Sequence, residues 1–129
     1  MAISYRYDID NNIMWAAVTD TLTTEDMVTH IDRLLDKDVN RQGLIEIIDM
    51  DHVEDVMIRY SDLLRIRKTT ALLAEQGHRI SIFFSGANRG KEILQLMGPI
   101  FNQINLIVHI CDNRDEALAY AQALDPARS

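Results

Sequence analysis

The chain has 129 residues, a formal net charge of −7, one cysteine and 47% hydrophobic residues. That length predicts one domain with a core of its own, and the composition argues against disorder. The acidic balance excludes nucleic acid as a general partner, because phosphate backbones are bound by concentrated positive charge. A lone cysteine excludes an internal disulfide framework and a cysteine-based zinc site.

Ile3, Tyr5, Tyr7 and Ile9 alternate with Ser4, Arg6 and Asp8, the pattern of a half-buried strand. Asp10-Asn11-Asn12 is turn chemistry, and Ile13 to Val18 reads as a second strand, so the chain opens with a hairpin. Met1 leads straight into the first strand, so no signal peptide is expected. No apolar run reaches membrane-spanning length, and the cytoplasm is the expected compartment. Thr23 with Asp26 resembles a capping box. It opens an amphipathic helix carrying Met27, Ile31, Leu34 and Leu35, to about Asp38.

The stretch from Gly43 to Gly77 organises the chain. Leu44, Ile45, Ile47 and Ile48 are apolar on both faces, broken only by Glu46, which predicts a strand covered on both sides. It is expected to end in an acidic turn, Asp49-Met50-Asp51-His52-Val53-Glu54-Asp55. Counting Glu46, five carboxylates fall within ten positions there. They repel one another unless a cation, a helix N-terminus or water offsets them. A long helix follows, with Val56, Tyr60, Leu63, Leu64, Arg67, Ala71 and Ala74 stepping by three or four along one face. Asp55 suits its N-cap and Gly77 its C′ position. Arg59, Arg65, Arg67 and Lys68 make it locally basic.

Arg79 to Phe84 reads as another strand, and Ser85-Gly86-Ala87-Asn88 as a loop ending in an N-cap at Asn88. Ile93, Leu94, Leu96, Met97, Ile100 and Phe101 form the next helical face, with a break or kink expected at Gly98-Pro99. Leu106 to Ile110 is the final strand, and Asp112 is the expected cap of a last helix carrying Ala117, Leu118, Ala121 and Leu124. A single domain over residues 1–125 results, with 126–129 as a frayed tail.

No residue pattern predicts catalysis or a cofactor. Asp49, Asp51, His52 and Glu54 carry donors that suit divalent metals, but strand alternation turns only some of them to one side. A solvated acidic turn is the better reading, and no metal site is assigned. A phospho-accepting receiver domain is rejected: the chain does not begin with a βα unit, and Asn105 to Ile110 lacks the required lysine. Gly86 to Glu92 fails the P-loop spacing and has Glu92 after Lys91 where Ser or Thr is required. A looser anion-binding reading remains for Ser85, Gly86, Asn88 and Arg89, at a helix N-terminus, beside the stronger reading of an ordinary turn. His30, His52, His78 and His109 are scattered and pair with no nucleophile, and Cys111 reads as a small buried hydrophobe.

The order β-β-α-β-α-β-α-β-α, the Asp-Met-Asp-His-Val run after the third strand and the long helix behind it together resemble the STAS superfamily. The likeness extends over nearly the whole chain and is nearest to small stand-alone STAS-like proteins. It implies an α/β fold with a mixed, mostly parallel sheet, one antiparallel strand and four covering helices. It also implies a non-enzymatic module that binds a regulatory protein through the turn and helix after the third strand. Asp51, Asp55, Arg59, Arg65, Arg67 and Lys68 are then the contact residues. Antagonist-type members carry a phosphorylatable Ser or Thr at the start of that helix. Met50 to Tyr60 contains neither, and Ser61, the nearest hydroxyl, falls inside the expected helix. The alternative comes from lipid-carrying SEC14 domains, to which such proteins are also compared: a carrier or sensor of a lipid-like or small apolar ligand. Tyr5, Tyr7, Trp15, Phe83, Phe84 and Phe101 are core aromatics first, and with Met57, Leu96 and Met97 the natural lining of any cavity. A homodimer is also expected, since small α/β domains often cover an exposed face in that way.

Overall fold

Alternation in the first segments builds a hairpin, and the remaining strands enter one by one through helices. In the computed structural model, which describes residues 3–36, 43–76, 80–102 and 107–124, these become nine elements. They are β1 (Ile3–Asp8), β2 (Ile13–Thr23), α1 (Thr24–Leu35), β3 (Ile45–Met57), α2 (Tyr60–Glu75), β4 (Ile80–Phe84), α3 (Asn88–Asn102), β5 (Ile107–Cys111) and α4 (Arg114–Ala123). The strands form one sheet in the order β1-β2-β3-β4-β5. Only β1 and β2 are antiparallel; the other three pairings are parallel. The hairpin turn is closed by Asn12 at φ 53°, a left-handed conformation that Asn tolerates, and Tyr7 donates its hydroxyl to Asn12 Oδ1 at 2.6 Å.

The two sheet faces carry separate cores. Met14, Ala16, Val18, Ile48, Met50 and Phe83 face α1, α2 and α3, which contribute Ile31, Leu34, Ile66, Leu73, Ile93 and Leu94. Ile13, Ile45, Ile47, Ile82 and Phe84 face the short α4, whose Ala117 and Ala121 are fully buried. The apolar-both-sides run of β3 therefore has the cover its sequence predicts.

Several expected boundaries are corrected. Residues Asp49 to Asp55 are not a turn: β3 continues to Met57, because β2 itself runs to Thr23 and offers backbone partners as far as Thr23↔Met57. Two register shifts and Asp20 at φ 58° absorb the mismatch along this extension. The helix after β3 consequently begins at Tyr60, and its N-cap is Arg59, with no side-chain cap, rather than Asp55. Its buried face is Ile66, Thr70 and Leu73, with Leu63 half-buried, while Leu64 and Arg67 of the expected face are exposed. The stripe turns toward α1, against which α2 packs. α1 ends at Leu35, short of Asp38, and Asn88 is the first residue of α3 rather than its cap. α3 continues through Gly98-Pro99 to Asn102, since a proline so near the end of a helix removes one hydrogen bond and leaves little helix to disrupt. β5 ends at Cys111, and α4 is capped by Asn113, whose Oδ1 accepts from the Glu116 amide at 2.9 Å, in place of Asp112. Gly77, Arg79, Leu106 and the tail after Leu124 lie outside the described residues.

The capping box is present. Thr23 Oγ1 accepts from the Asp26 amide at 3.2 Å, and the Asp26 carboxylate accepts from the Thr23 amide at 3.0 Å.

Candidate functional site

The extension of β3 carries the acidic residues past the end of β4, where they meet the start of α3. Asp51 Oδ1 accepts from the Gly86 amide at 2.6 Å. Arg89 donates to Asp55 Oδ1 at 2.8 Å and to the Glu54 carbonyl at 3.3 Å. The Asp55 carboxyl is held below its ordinary pKa, first by the Val56 amide it accepts from and then by Arg89. Lys91 pairs with Asp112 at 2.8 Å. The two clusters read separately from the sequence thus meet, joined by the Arg89–Asp55 pair and by the Gly86 amide on Asp51. The repulsion among the carboxylates is offset by Arg89 and a backbone amide.

This arrangement changes the anion reading. Ser85 is fully buried, and its hydroxyl is engaged with the backbone of Ala87, donating to the carbonyl at 3.0 Å and accepting from the amide at 3.1 Å. The Gly86 amide is taken by Asp51 and Arg89 by Asp55; Asn88 is exposed in the first turn of α3. Gly90 has a separate, steric reason to be glycine: a Cβ there would stand 2.7 Å from the Met50 carbonyl and collide with Ser85. Among the described residues, no three His, Cys, Asp or Glu side chains converge as a metal site.

The expected partner surface divides. Asp51 and Asp55 belong to the α3 side just described. Arg59, Arg65, Arg67 and Lys68 lie on α2 or its cap, and all four are exposed. Arg59 approaches Asp62 at 3.8 Å, and Arg65 reaches Glu25 of α1 at 3.3 Å. Beside them stand two large apolar side chains open to solvent, Leu64 at 57% and Leu72 at 52% exposure, two turns apart on the outward face. Met57, at the end of β3, is 67% exposed, so it lines no interior cavity. Ser61 lies inside the helix, as expected; it is exposed and is the second residue of α2, so this nearest hydroxyl sits in the first turn.

A family-model scan and a search of curated proteins both find no match. Among solved structures, the chain is similar to an uncharacterized protein from the DUF3478 family with a SpoIIAA-like fold, from Shewanella loihica PV-4. That match has a TM-score of 0.61 and 12% identity over 93% of this chain and 92% of the other. It is also similar to the anti-sigma factor antagonist SpoIIAA in its unphosphorylated form, with a TM-score of 0.52 and 11% identity over 99% of both chains. The chain has a STAS-like fold. In STAS-like terms, the five-stranded mixed sheet with a single antiparallel pair and four helices is the expected architecture. No helix among the described residues is long and apolar enough to cross a membrane.

Sequence reasoning missed a buried polar chain. Glu46, only 2% exposed, bonds His30 Nε2 at 2.8 Å, and His30 Nδ1 bonds the Tyr5 hydroxyl at 2.8 Å. The Tyr5 ring stacks on His30 with centroids 5.5 Å apart. Burial, then the Glu46 charge, push the Tyr5 pKa up to about 12. The signal was present: Glu46 is the one charge in an apolar strand, and His30 follows Met27 by three on the apolar face of α1.

Proposed function

We propose that this protein is a non-enzymatic regulatory module that docks a protein partner on the outward face of α2. The observation that carries the reading is the pairing of Leu64 and Leu72, both more than half exposed, with Arg65, Arg67 and Lys68 on one helix of a chain with net charge −7. Solvent-exposed leucines at this spacing do not stabilise the fold; beside a basic patch they suit a partner with apolar anchors and an acidic rim. The STAS-like fold supports a regulatory role. So does the likeness to the solved structure of an anti-sigma factor antagonist in its unphosphorylated form.

Ser61 fits that role as the point of control. A phosphate there would add about −1.5 to −2 charges at the N-terminus of α2, where the helix dipole favours it. It would stand one turn from Arg65 and beside the docking face.

The pocket lined by buried core residues holds about 50 Å³, against roughly 300–1,000 Å³ for drug-sized ligand sites. A lipid-like cargo therefore has little support from the interior, and the interaction module is the reading we adopt.

Affinity capture from the native host with the intact chain and with Arg65→Glu/Arg67→Glu/Lys68→Glu tests the surface. Loss of a specific partner by the folded variant is the expected outcome. An unchanged set of captured proteins would remove this face from the account.

A further inference from the structure

We infer that the space between the sheet and helices α1 and α2 is a binding chamber for a small amphiphile, a short alkyl chain ending in a hydrogen-bond donor. The chamber has a volume of about 50 Å³, and every one of its fifteen lining residues is buried. It exists because Ala16 stands on β2 where its strand neighbours on the same face, Met14 and Val18, are larger.

Its walls are divided by chemistry. Glu46 and Ser81 are direct neighbours across the β3–β4 pairing, and His30 joins Glu46 from α1. These three make a polar wall, each more than nine-tenths buried. Thr70, the fourth polar residue, spends its hydroxyl on the Ile66 carbonyl at 2.7 Å and presents its methyl side instead. The other eleven residues are apolar, and Val18, Leu22, Ile48 and Met50 lie further along the strands from the polar wall.

A wholly apolar void of this size would stay dry, and a wholly polar one would fill with about three or four waters. This chamber suits neither. Each buried water needs two to four polar partners, and the polar atoms stand on one wall only. An alkyl chain of a few carbons fits the remainder. A carboxylate accepts at several positions at once, so an amine or hydroxyl head can bond Glu46 without displacing His30. This inference does not depend on the docking face of α2.

The test is a titration of the intact, Ile/Leu/Val methyl-labelled protein with n-propylamine and, separately, n-propanol, followed by NMR. The expected result is a saturable shift at methyls of Ile3, Val18, Ile31, Leu34 and Leu73, with Ile13, Ile45 and Ile47 on the opposite face unmoved. The amine alone saturating identifies an ammonium site; both saturating identifies a neutral-donor site. Glu46→Gln should weaken binding about tenfold, the loss expected when a charge-assisted bond becomes a neutral one. Ala16→Val, which fills the space, should abolish saturation. Should Glu46→Gln fail to fold, Ser81→Val removes the other half of the wall and carries the same expectation. Shifts that rise linearly without saturating for both probes would overturn the inference, as would affinity unchanged in Ala16→Val.

Discussion

A carboxylate in the middle of an apolar sheet face is tolerated only when it is hydrogen-bonded, and here it bonds His30. Removing the histidine leaves Glu46 buried without that partner, so His30→Ala should cost about 3 kcal/mol or more in urea unfolding, whereas Glu46→Gln, which keeps an acceptor for His30, should cost about 1 kcal/mol. Tyr5 adds a pH dependence. Its folded pKa of about 12 lies above the ordinary value of 10.0, so the folded state favours the protonated phenol. That contribution is complete below pH 10 and is lost as the pH rises toward 12. Denaturation followed across that window should show wild-type stability falling more steeply than that of Tyr5→Phe; parallel curves would contradict this. At Gly90 the limit is space, and Gly90→Ala should destabilise by about 1–3 kcal/mol because the Met50 carbonyl cannot retreat from β3. Of these residues, Glu46 was visible in the sequence as an interruption. Its pairing with His30 was not, because the two are sixteen positions apart and only tertiary packing brings them together.

Elements followed local signals where those signals were local. The Thr23–Asp26 capping box and the Asn12 turn form as their residues dictate, since both are closed within a few positions. Thr23→Ala should lower stability by about 1 kcal/mol, read as a drop of about 4 °C in Tm. The end of β3 was misread for the opposite reason. Asp49 to Asp55 has turn-like composition, yet the long β2 supplies hydrogen-bond partners that hold it extended. Tertiary pairing overrides propensity in strands more readily than in helices. That error also displaced the start of α2, and with it the position of Ser61 and the inward face of the helix. Once α2 begins at Tyr60, Leu64 and Leu72 turn outward, and their replacement should leave the fold nearly untouched. Leu64→Asp/Leu72→Asp should change unfolding free energy by less than about 1 kcal/mol.

At the scale of the molecule, the topology was legible because each step has a pattern of its own: alternation for the hairpin, continuous apolar runs for covered strands, and 3.6-residue periodicity for the helices between them. The interior chamber was not legible, since it depends on one small residue on the same sheet face as a polar pair and on no periodic feature. The same limit applied to the site. The sequence marked the acidic and basic stretches, but the fold decides that Asp51 and Asp55 close on Gly86 and Arg89 while the basic residues of α2 remain outward. That division leaves α2 as the face with exposed apolar and cationic groups together.

Photo-crosslinking from a reactive residue placed at position 72, with a control at exposed Gln122 on α4, tests this most directly in the native host. The account predicts a discrete crosslinked protein from position 72, absent from position 122 and lost on Arg65→Glu/Arg67→Glu/Lys68→Glu. A crosslink from position 122 alone, or none from position 72 in a folded protein, would contradict it.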